Sequence, residues 1–546
     1  MKLRLLAVCS LGMFGLATAG SATAATPQQP PMVLPADAVS SSASGPGSGA
    51  ASWIVGGTPG PKTSAIALNA GGTPLLGQLG SFRISRSDAN RLADRLKRAG
   101  RLIYAEPDVP VEPGGYPLDL LTDQQWWLNR IVSPGDVTPP SVTSTSPLIA
   151  LIEESIDPLH PDLASANLSG AVSISPEADT HGTSVAGIAG SPGEMLGIRG
   201  VWPGARMRLF PSGLKCSTAS KAVEKAVNQG AAVINMSYTF PAGSCFTHFK
   251  ATQYAIRQGV IPVAAAGNSG ASGNSAMRPA IDPHVISVGA VDDSSMVASF
   301  STRNSGVDIT APGVGVLAPV VSTGSDSGGS SKVIRDWASV SGTSFSAPMV
   351  SATAAWLSQS RPELGNLQIA RLLTSGATDL GEPGRDPLYG EGLLSIEKSL
   401  TAPNPPVDPY EPNDDIRWLN GSLLGSKAPY LWRAGSGKRR VLNATLSRAK
   451  DPADVYRVLI PARRSIVVNV SQLEGDITLS ALKPKAKSIY NPGKNLIVKS
   501  NRPYPKTEGI VVRNLKKKPQ AIWLAVTPSP AQSGNDSTYR IKVVRH

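Results

Sequence analysis

The chain has 546 residues, 41% of them hydrophobic, and a formal net charge of +13, which together predict about two to four domains with sizeable cores. Beyond the N-terminus no run of about 18 apolar residues occurs, so we expect no membrane span. From residue 401 onward, 25 Lys and Arg stand against 10 Asp and Glu, so the basic character belongs to the C-terminal part. No aromatic residues alternate with the basic residues of this part, which argues against a surface that binds nucleic acid by base stacking.

The N-terminus has the pattern of an export signal. Basic residues in Met1–Arg4 precede an apolar run, and small residues before positions 20 and 25 offer cleavage sites. We therefore predict a signal peptide over residues 1–24 and a secreted, extracellular protein. Residues 25–50 are rich in Pro, Ser, Ala and Gly, a composition typical of a disordered segment.

Residues 51–115 have the pattern of a small α/β unit. Hydrophobic runs predict strands over Trp53–Val55, Gly80–Ile84 and Leu102–Ala105. Between the second and third strands, apolar residues with helical spacing predict a helix with Ser87 as its N-cap.

Residues 120–400 alternate apolar strand runs with helical patterns, which predicts a doubly wound α/β domain around a parallel sheet. In such a sheet, sites form at the carboxyl ends of the strands. The predicted strands are 148–152, 207–210, 232–236, 260–264 and 285–288.

Residues 401–407 are Pro-rich and predict a stiff linker, and residues 408–546 contain short β-runs. The opening heptapeptide, Asp408–Asp414, and the later run Asp454–Val458 resemble the C-terminal β-sandwich domain of many secreted bacterial peptidases. That resemblance implies an all-β sandwich over residues 408–546.

Two cysteines, Cys216 and Cys245, remain once the signal peptide is removed. In an exported protein they predict one disulfide bond, with two buried thiols as the alternative.

Three motifs contain candidate residues for nucleophilic catalysis. Ser344 lies between a glycine and a proline at a predicted helix N-terminus, where N–H groups and the helix dipole favour negative charge. A hydroxyl is a poor nucleophile without an adjacent base, and His181, in a His-Gly-Thr-Ser motif, is the candidate base. Glu153 follows an apolar strand and is the candidate acid.

The order acid, histidine, serine and the motifs around each residue resemble the subtilisin-like serine peptidases, or subtilases. The resemblance implies a serine endopeptidase with Ser344 as nucleophile, His181 as base, polypeptide substrates and no cofactor for the chemistry. The family pattern has aspartate where this chain has Glu153, because Ile152 and Ile156 align without a gap. We expect a working but impaired triad; the alternative is an inactive subtilase-fold binding protein at the cell surface.

The same resemblance implies roles for further residues. Asn268, in an Ala-Ala-Gly-Asn segment, matches the asparagine that stabilises the oxyanion. Asp162 matches a calcium ligand of the family, with an ordinary helix-turn role as the alternative for a single carboxylate. The residues that match the peptide-binding segments are Ser237, Tyr238, Thr239, Ala265 and Gly267, and Thr239 replaces a glycine of the specificity pocket.

The sequence also indicates two candidate binding partners. Glu106-Pro107-Asp108 resembles the end of subtilase propeptides, which implies that residues 51–115 are an inhibitory prodomain that binds its own enzyme. The basic runs Lys438–Arg440 and Lys516–Lys518 are candidates for binding an acidic cell-surface polymer, with a solvated basic face as the alternative.

Overall fold

The structure of the chain is a computed structural model. It describes residues 52–76, 80–107, 121, 124–132, 137–193, 197–213, 215–325, 331–425, 427–433, 437–447, 450–529 and 536–546. The chain divides into two compact units, one up to Pro113 and one from Gly114 onward. The predicted signal peptide and the segment 25–50 lie outside the described residues, as does Asp108.

The first unit contains a four-stranded antiparallel sheet with the order β2-β3-β1-β4 and two helices. The three predicted strands are present as β1, β3 and β4. The elements are β1 Ser52–Gly57, α1 Pro61–Leu68, β2 Thr73–Leu76, β3 Ser81–Ser85, α2 Arg86–Arg98 and β4 Leu102–Pro107.

Helix α2 begins two residues earlier than the sequence predicts. Its N-cap is Ser85, whose hydroxyl accepts a hydrogen bond from the Asp88 backbone N–H at 3.3 Å. The prediction of Ser87 was wrong because Ser85, at the end of β3, already has the extended backbone that an N-cap requires.

The second unit is built around a seven-stranded parallel sheet with the order β13-β12-β10-β8-β5-β7-β6. All five predicted strands belong to it, and the doubly wound prediction is confirmed for this sheet. The strands are β5 Leu148–Leu151, β6 Leu168–Ser169, β7 Met207–Leu209, β8 Ala231–Met236, β10 Ile261–Ala265, β12 Ile286–Val291 and β13 Ile309–Pro312.

Helices cover both faces of this sheet because alternate residues of a buried strand point to opposite sides. Ile149 and Val233 belong to the hydrophobic cluster that includes α4, α7 and α8, whereas Ala150 and Ile234 belong to the cluster with α5 and α6. The helices are α3 Trp126–Ile131, α4 Pro176–Gly190, α5 Cys216–Asn228, α6 Phe246–Arg257, α7 Thr343–Ser360, α8 Asn366–Ser375 and α9 Ile396–Thr401.

Two short connections complete this part of the chain. A hairpin of two ten-residue strands, β14 Val316–Ser325 and β15 Ser331–Val340, precedes α7, and a small ribbon pairs β9 Phe240–Pro241 with β11 Met277–Arg278.

A disulfide joins Cys216 to Cys245, with their Cα atoms 5.6 Å apart, which confirms the predicted bond. It connects the start of α5 to the residue before α6.

The C-terminal region forms two four-stranded antiparallel sheets, β16-β23-β18-β21 and β17-β22-β19-β20. Buried side chains from both sheets form one hydrophobic cluster. The elements are α10 Ile416–Leu419, β16 Arg439–Ser447, β17 Asp454–Ile460, β18 Ser465–Glu474, β19 Ile477–Leu482, β20 Leu496–Ser500, β21 Glu508–Arg513, β22 Gln520–Pro528 and β23 Asp536–Arg545.

The C-terminal region packs directly against the parallel-sheet region. The Trp418 indole N–H donates to Gln253 Oε1 at 3.0 Å, and the Trp418 ring meets Phe249 edge-on at 5.7 Å between centroids. Both partners lie on α6, so this helix connects the disulfide with the C-terminal sheets. None of the helices in the described ranges combines the length and apolar character that crossing a bilayer needs.

Candidate active site

The candidate acid lies at the carboxyl end of a central strand. All four residues of β5 are buried, and Glu153 follows two residues after the strand, itself only 5% exposed. The Glu153 carbonyl accepts a hydrogen bond from the Ser212 N–H at 2.7 Å, which fixes the backbone there. The carboxylate is therefore held at the edge where α/β sheets assemble their sites.

The candidate base faces this carboxylate from helix α4. The His181 ring nitrogen Nδ1 lies 2.8 Å from Glu153 Oε2, within hydrogen-bond distance. The close approach of the helix depends on Gly182, because a Cβ atom there would lie 2.0 Å from the Ser155 carbonyl oxygen. The glycine that follows the histidine thus allows α4 to pack on the segment after β5.

The environment of the pair favours a charged histidine. The Glu153 side chain is 6% exposed and the His181 side chain 40%, so the acid is buried while the base is partly exposed. Burial lowers the pKa of His181, but the charge of Glu153 and its hydrogen bond outweigh that effect, and the pKa is raised above its ordinary value. A carboxylate that favours the imidazolium is what a general base requires in the transition state.

The longer glutamate side chain reaches the histidine with one of its two oxygens. Oε2 contacts His181, and the buried Oε1 has no hydrogen-bond donor among the described residues. An unsatisfied buried carboxylate oxygen is costly. The Glu153 side chain therefore contacts the candidate base through one oxygen and has no described donor for the other.

The candidate nucleophile occupies the first turn of α7. Gly342 caps this helix with φ of 153°, a conformation in which a side chain is strained. The Ser344 hydroxyl donates to the Ser237 carbonyl oxygen at 3.1 Å, and the Ser237 hydroxyl donates to the Ser344 carbonyl oxygen at 2.7 Å. Ser344 thus rests on the predicted substrate-binding segment.

A buried hydrogen-bond chain that sequence reasoning missed supports this contact. Ser351 Oγ donates to Asn235 Oδ1 at 2.9 Å, and Asn235 Nδ2 donates to Ser237 Oγ at 2.9 Å. Ser351 lies on α7 and Asn235 on β8, so the chain connects the nucleophile's helix to the sheet. Ser351 lies seven residues after Ser344 on the same helix, and that spacing was the available signal.

The candidate oxyanion residue lies beside the nucleophile. Asn268 is exposed, and its Oδ1 accepts hydrogen bonds from the Thr343 N–H at 3.0 Å and the Thr343 hydroxyl at 2.9 Å. Because Oδ1 is occupied as an acceptor, the amide Nδ2 is the group that can donate to an oxyanion. Sequence reasoning also missed Thr343, which in addition accepts from the Gly267 N–H at 3.2 Å.

The predicted peptide-binding segments follow β8 and β10. Ala265 ends β10, and Tyr238 and Thr239 follow β8 with half-buried side chains. The Tyr238 hydroxyl bonds with His248 Nε2 at 2.8 Å. Burial, with a smaller effect from the Arg278 charge, lowers the pKa of His248 to about 4, so this imidazole is neutral at pH 7. A Tyr–His pair thus supports this segment, which the sequence did not indicate.

Asp162 takes part in structural contacts. Its Oδ2 accepts hydrogen bonds from the Trp337 indole N–H at 2.5 Å and from the Ile198 N–H at 3.3 Å. Across the described ranges it belongs to no group of three or more metal-ligating side chains. Asp162 thus contacts β15, where Arg335 also pairs with buried Asp157 at 2.7 Å, and its assignment as a calcium ligand stays a prediction.

Comparison with known proteins shows which family this chain resembles. The sequence model of the subtilase family matches residues 144–392. An alkaline protease from Alkalihalobacillus alcalophilus is 35% identical over 315 residues, which are 56% of this chain and 75% of that protein. Subtilisin Savinase from Lederbergia lenta is 35% identical over 283 residues, which are 50% of this chain and 97% of that protein.

The chain belongs to the subtilase family. It is therefore a serine endopeptidase. Among solved structures, the subtilisin-like protease Apa1 from Pseudoalteromonas sp. AS-11 aligns with 50% of this chain and 96% of its own, at 20% identity and a TM-score of 0.43.

The ion pair of this subtilase predicts a pH dependence. Because the pKa of His181 is raised, its basic form and the value of kcat/KM should increase as pH rises through that pKa. Glu153→Gln removes the carboxylate charge that raises the pKa of His181. The rise of kcat/KM on the acid side of the pH profile, its acid limb, should therefore move to lower pH. The plateau should fall by about a hundredfold to ten-thousandfold, the upper figure being known from a subtilisin. Steady-state kinetics between pH 5 and about 10 measure both effects.

The matched control is Glu154→Gln, which removes the adjacent carboxylate and should leave the acid limb in place. An acid limb at the same pH in wild type and Glu153→Gln would contradict the ion pair.

The Trp337 contact predicts a loss of stability. Trp337→Phe retains an aromatic ring but removes the donor to buried Asp162, so the free energy of unfolding should fall by about 1–3 kcal/mol. Trp126→Phe is the control. The Trp126 indole donates to the neutral Gly315 carbonyl at 3.2 Å, so its removal should lower the free energy of unfolding by less. Thermal unfolding compares the two; an equal or smaller loss for Trp337→Phe would contradict the assignment.

Proposed function

We propose that this subtilase is a secreted endopeptidase that cleaves polypeptides through a Ser344 acyl-enzyme. His181 acts as base and then as acid, Glu153 takes the acid position of the triad, and Asn268 with the Ser344 N–H stabilises the oxyanion. The observation that carries this proposal is the 2.8 Å contact between the buried Glu153 carboxylate and His181 Nδ1.

In the first half-reaction, His181 Nε2 takes the Ser344 hydroxyl proton while Oγ attacks the carbonyl carbon of the scissile bond. For this, Ser344 must leave the Ser237 carbonyl that its hydroxyl contacts at rest. The tetrahedral oxyanion accepts hydrogen bonds from Asn268 Nδ2 and the Ser344 N–H. Loss of the asparagine donor costs about 2.7–4 kcal/mol in a subtilisin.

Collapse of the intermediate completes acylation. The carbon–nitrogen bond breaks, and the protonated His181 donates its proton to the leaving amine. Water then attacks the acyl-enzyme with His181 again as base, which releases the carboxylic acid and restores the Ser344 hydroxyl. Throughout, the Glu153 side chain orients His181 and stabilises the imidazolium.

We assign the remaining segments to export, inhibition and attachment. Residues 1–24 would direct secretion, 51–115 would inhibit the enzyme before maturation, and 408–546 would form a β-sandwich domain. The sheet of β1 to β4 supports the second assignment, and the shared core of the two C-terminal sheets supports the third. The exposed runs Lys438–Arg440 and Lys516–Lys518 are candidates for an acidic cell-surface polymer.

A second candidate function is a catalytically impaired binding protein. The observations that favour it are the glutamate in the acid position, whose Oε1 has no donor in the described part of the chain, and the resting Ser344–Ser237 contact. In this case the peptide groove would still bind chains but would cleave them slowly. Restoring Glu153→Asp separates the candidates. A gain of about a hundredfold in peptide hydrolysis would identify an endopeptidase impaired by its glutamate, and no hydrolysis in either form would favour the binding protein.

A fluorophosphonate tests the nucleophile directly. The intact mass of the secreted protein should increase by a single adduct that maps to Ser344, because the reagent reacts only with an activated serine. The adduct should disappear in Ser344→Ala and in His181→Ala. His546→Ala, at the exposed C-terminus, is the control and should label as wild type does.

The mass before labelling also locates the maturation site and shows whether residues 51–115 have been removed. A protein that has lost that segment and still takes up no adduct would contradict the proposed mechanism and favour the binding protein.

A further inference from the structure

The β14–β15 hairpin contacts both the segment that follows the candidate acid and the helix of the candidate base. Its strands pair along ten residues, and Val321 on β14 lies directly opposite Arg335 on β15. The Val321 N–H donates to the Thr180 hydroxyl on α4 at 3.0 Å. On the other strand, Arg335 Nε donates to Asp157 Oδ2 at 2.7 Å, in the segment after β5. This facing pair of residues therefore joins α4 to that segment.

A second facing pair repeats the arrangement two residues along the hairpin. Pro319 on β14 lies opposite Trp337 on β15. The Ser184 hydroxyl on α4 donates to the Pro319 carbonyl at 2.6 Å. The Trp337 indole donates to Asp162, again in the segment after β5. The helix packs closely on β14, because a Cβ atom at Gly187 would lie 2.3 Å from the Pro319 ring. Two neighbouring pairs thus fix the helix and the segment relative to each other.

The contact between Arg335 and Asp157 is a charged one with a buried partner. The Asp157 side chain is fully buried, and that of Arg335 is 27% exposed. A second guanidinium nitrogen, Arg335 Nη2, lies 3.4 Å from Asp157 Oδ1, so the planar fork faces both carboxylate oxygens. Because a buried carboxylate without its partner is strongly unfavourable, this pair resists separation.

Asp157 also contacts the helix of the candidate base directly. Its N–H donates to the Thr183 hydroxyl at 3.0 Å. Thr183 lies two residues after His181, and Asp157 lies four residues after Glu153. The acid's segment, the base's helix and β15 therefore meet at Asp157. A shift at this point would move the acid relative to the base, and a displacement of about 1 Å can lower a rate roughly a hundredfold.

The way in which Glu153 contacts the base makes this support important. Glu153 Oε2 lies 2.8 Å from His181 Nδ1, and the buried Oε1 has no donor in the described part of the chain. With one oxygen engaged, the carboxylate is not oriented by further hydrogen bonds. The separation between α4 and the segment after β5 then decides whether Glu153 reaches the base.

We propose that the β14–β15 hairpin braces the catalytic pair, and that Arg335 is a positioning residue that keeps Glu153 within hydrogen-bond distance of His181 by holding Asp157. This role rests on the proposed peptidase mechanism, and it adds to that mechanism a residue that acts through Asp157 rather than on the reacting atoms.

Kinetics of Arg335→Gln in the full secreted protein test the role of this residue. The variant loses the charge and the fork, so kcat per active site, counted with a fluorophosphonate, should fall by about tenfold to a hundredfold. The value of KM should stay within about twofold of the wild type, because no contact with the peptide is removed. A mere loss of fold would instead lower the number of labelled sites and leave kcat per site unchanged.

Two further variants complete the series. Arg335→Lys retains the charge that buried Asp157 needs, so it should fold even where Arg335→Gln does not. It lacks the planar fork, so its kcat should lie between those of the wild type and Arg335→Gln. Lys332→Gln is the matched control, because Lys332 is an exposed cation on the same strand, and its kcat should equal that of the wild type.

The pKa of His181 separates positioning from a simple effect of charge. Glu153 is the charged group that raises this pKa. Loss of a cation would by itself raise the pKa of a nearby histidine, whereas a weaker contact with Glu153 would lower it. We therefore expect a lower His181 pKa in Arg335→Gln and an unchanged one in Lys332→Gln, measured by ¹³C NMR titration of the histidine side chains.

The titration needs no catalytic activity, so it distinguishes failure of the brace from failure of the peptidase mechanism. An inactive wild type whose His181 pKa still falls in Arg335→Gln would overturn the mechanism and support the brace. A His181 pKa that is unchanged or higher in Arg335→Gln would overturn the brace. So would a kcat per labelled site that equals the wild-type value in both Arg335 variants.

Discussion

The contact between Glu153 and His181 is the interaction on which the proposed chemistry depends. It requires a carboxylate that is buried at the end of β5 and a histidine on α4 that remains partly exposed. Gly182 allows the helix to approach, and the Ser212 N–H fixes the acid's backbone. A glutamate can therefore occupy the acid position without loss of the contact, although its second oxygen has no donor in the described ranges.

The parallel sheet brings the other participants to the same edge. Ser237 follows β8, Asn268 follows β10, and the nucleophile's helix joins both through hydrogen bonds from Thr343 and Ser344. The two hydrogen bonds between Ser344 and Ser237 are reciprocal, so the candidate nucleophile and the predicted peptide-binding segment position each other.

Local patterns in the sequence were sufficient for the parts of the site that lie within short motifs. Five of the seven strands of the parallel sheet, and the candidates Ser344 and His181, follow from apolar runs and glycine-flanked motifs. The network of Asn235 and Ser351 did not, because it joins residues 116 positions apart. The strand β15 was missed because most of its residues are exposed and only half are apolar, so it lacks the apolar run of a buried strand.

Direct titration of His181 is the measurement that tests the account most closely. The chain has five histidines, so ¹³C labelling at their Cε1 positions gives a spectrum in which the His181 signal can be assigned by its loss in His181→Ala. The account predicts a His181 pKa above the ordinary value in the wild type and a lower one in Glu153→Gln. The same His181 pKa in both proteins would contradict it, because Glu153 would then not act on the base.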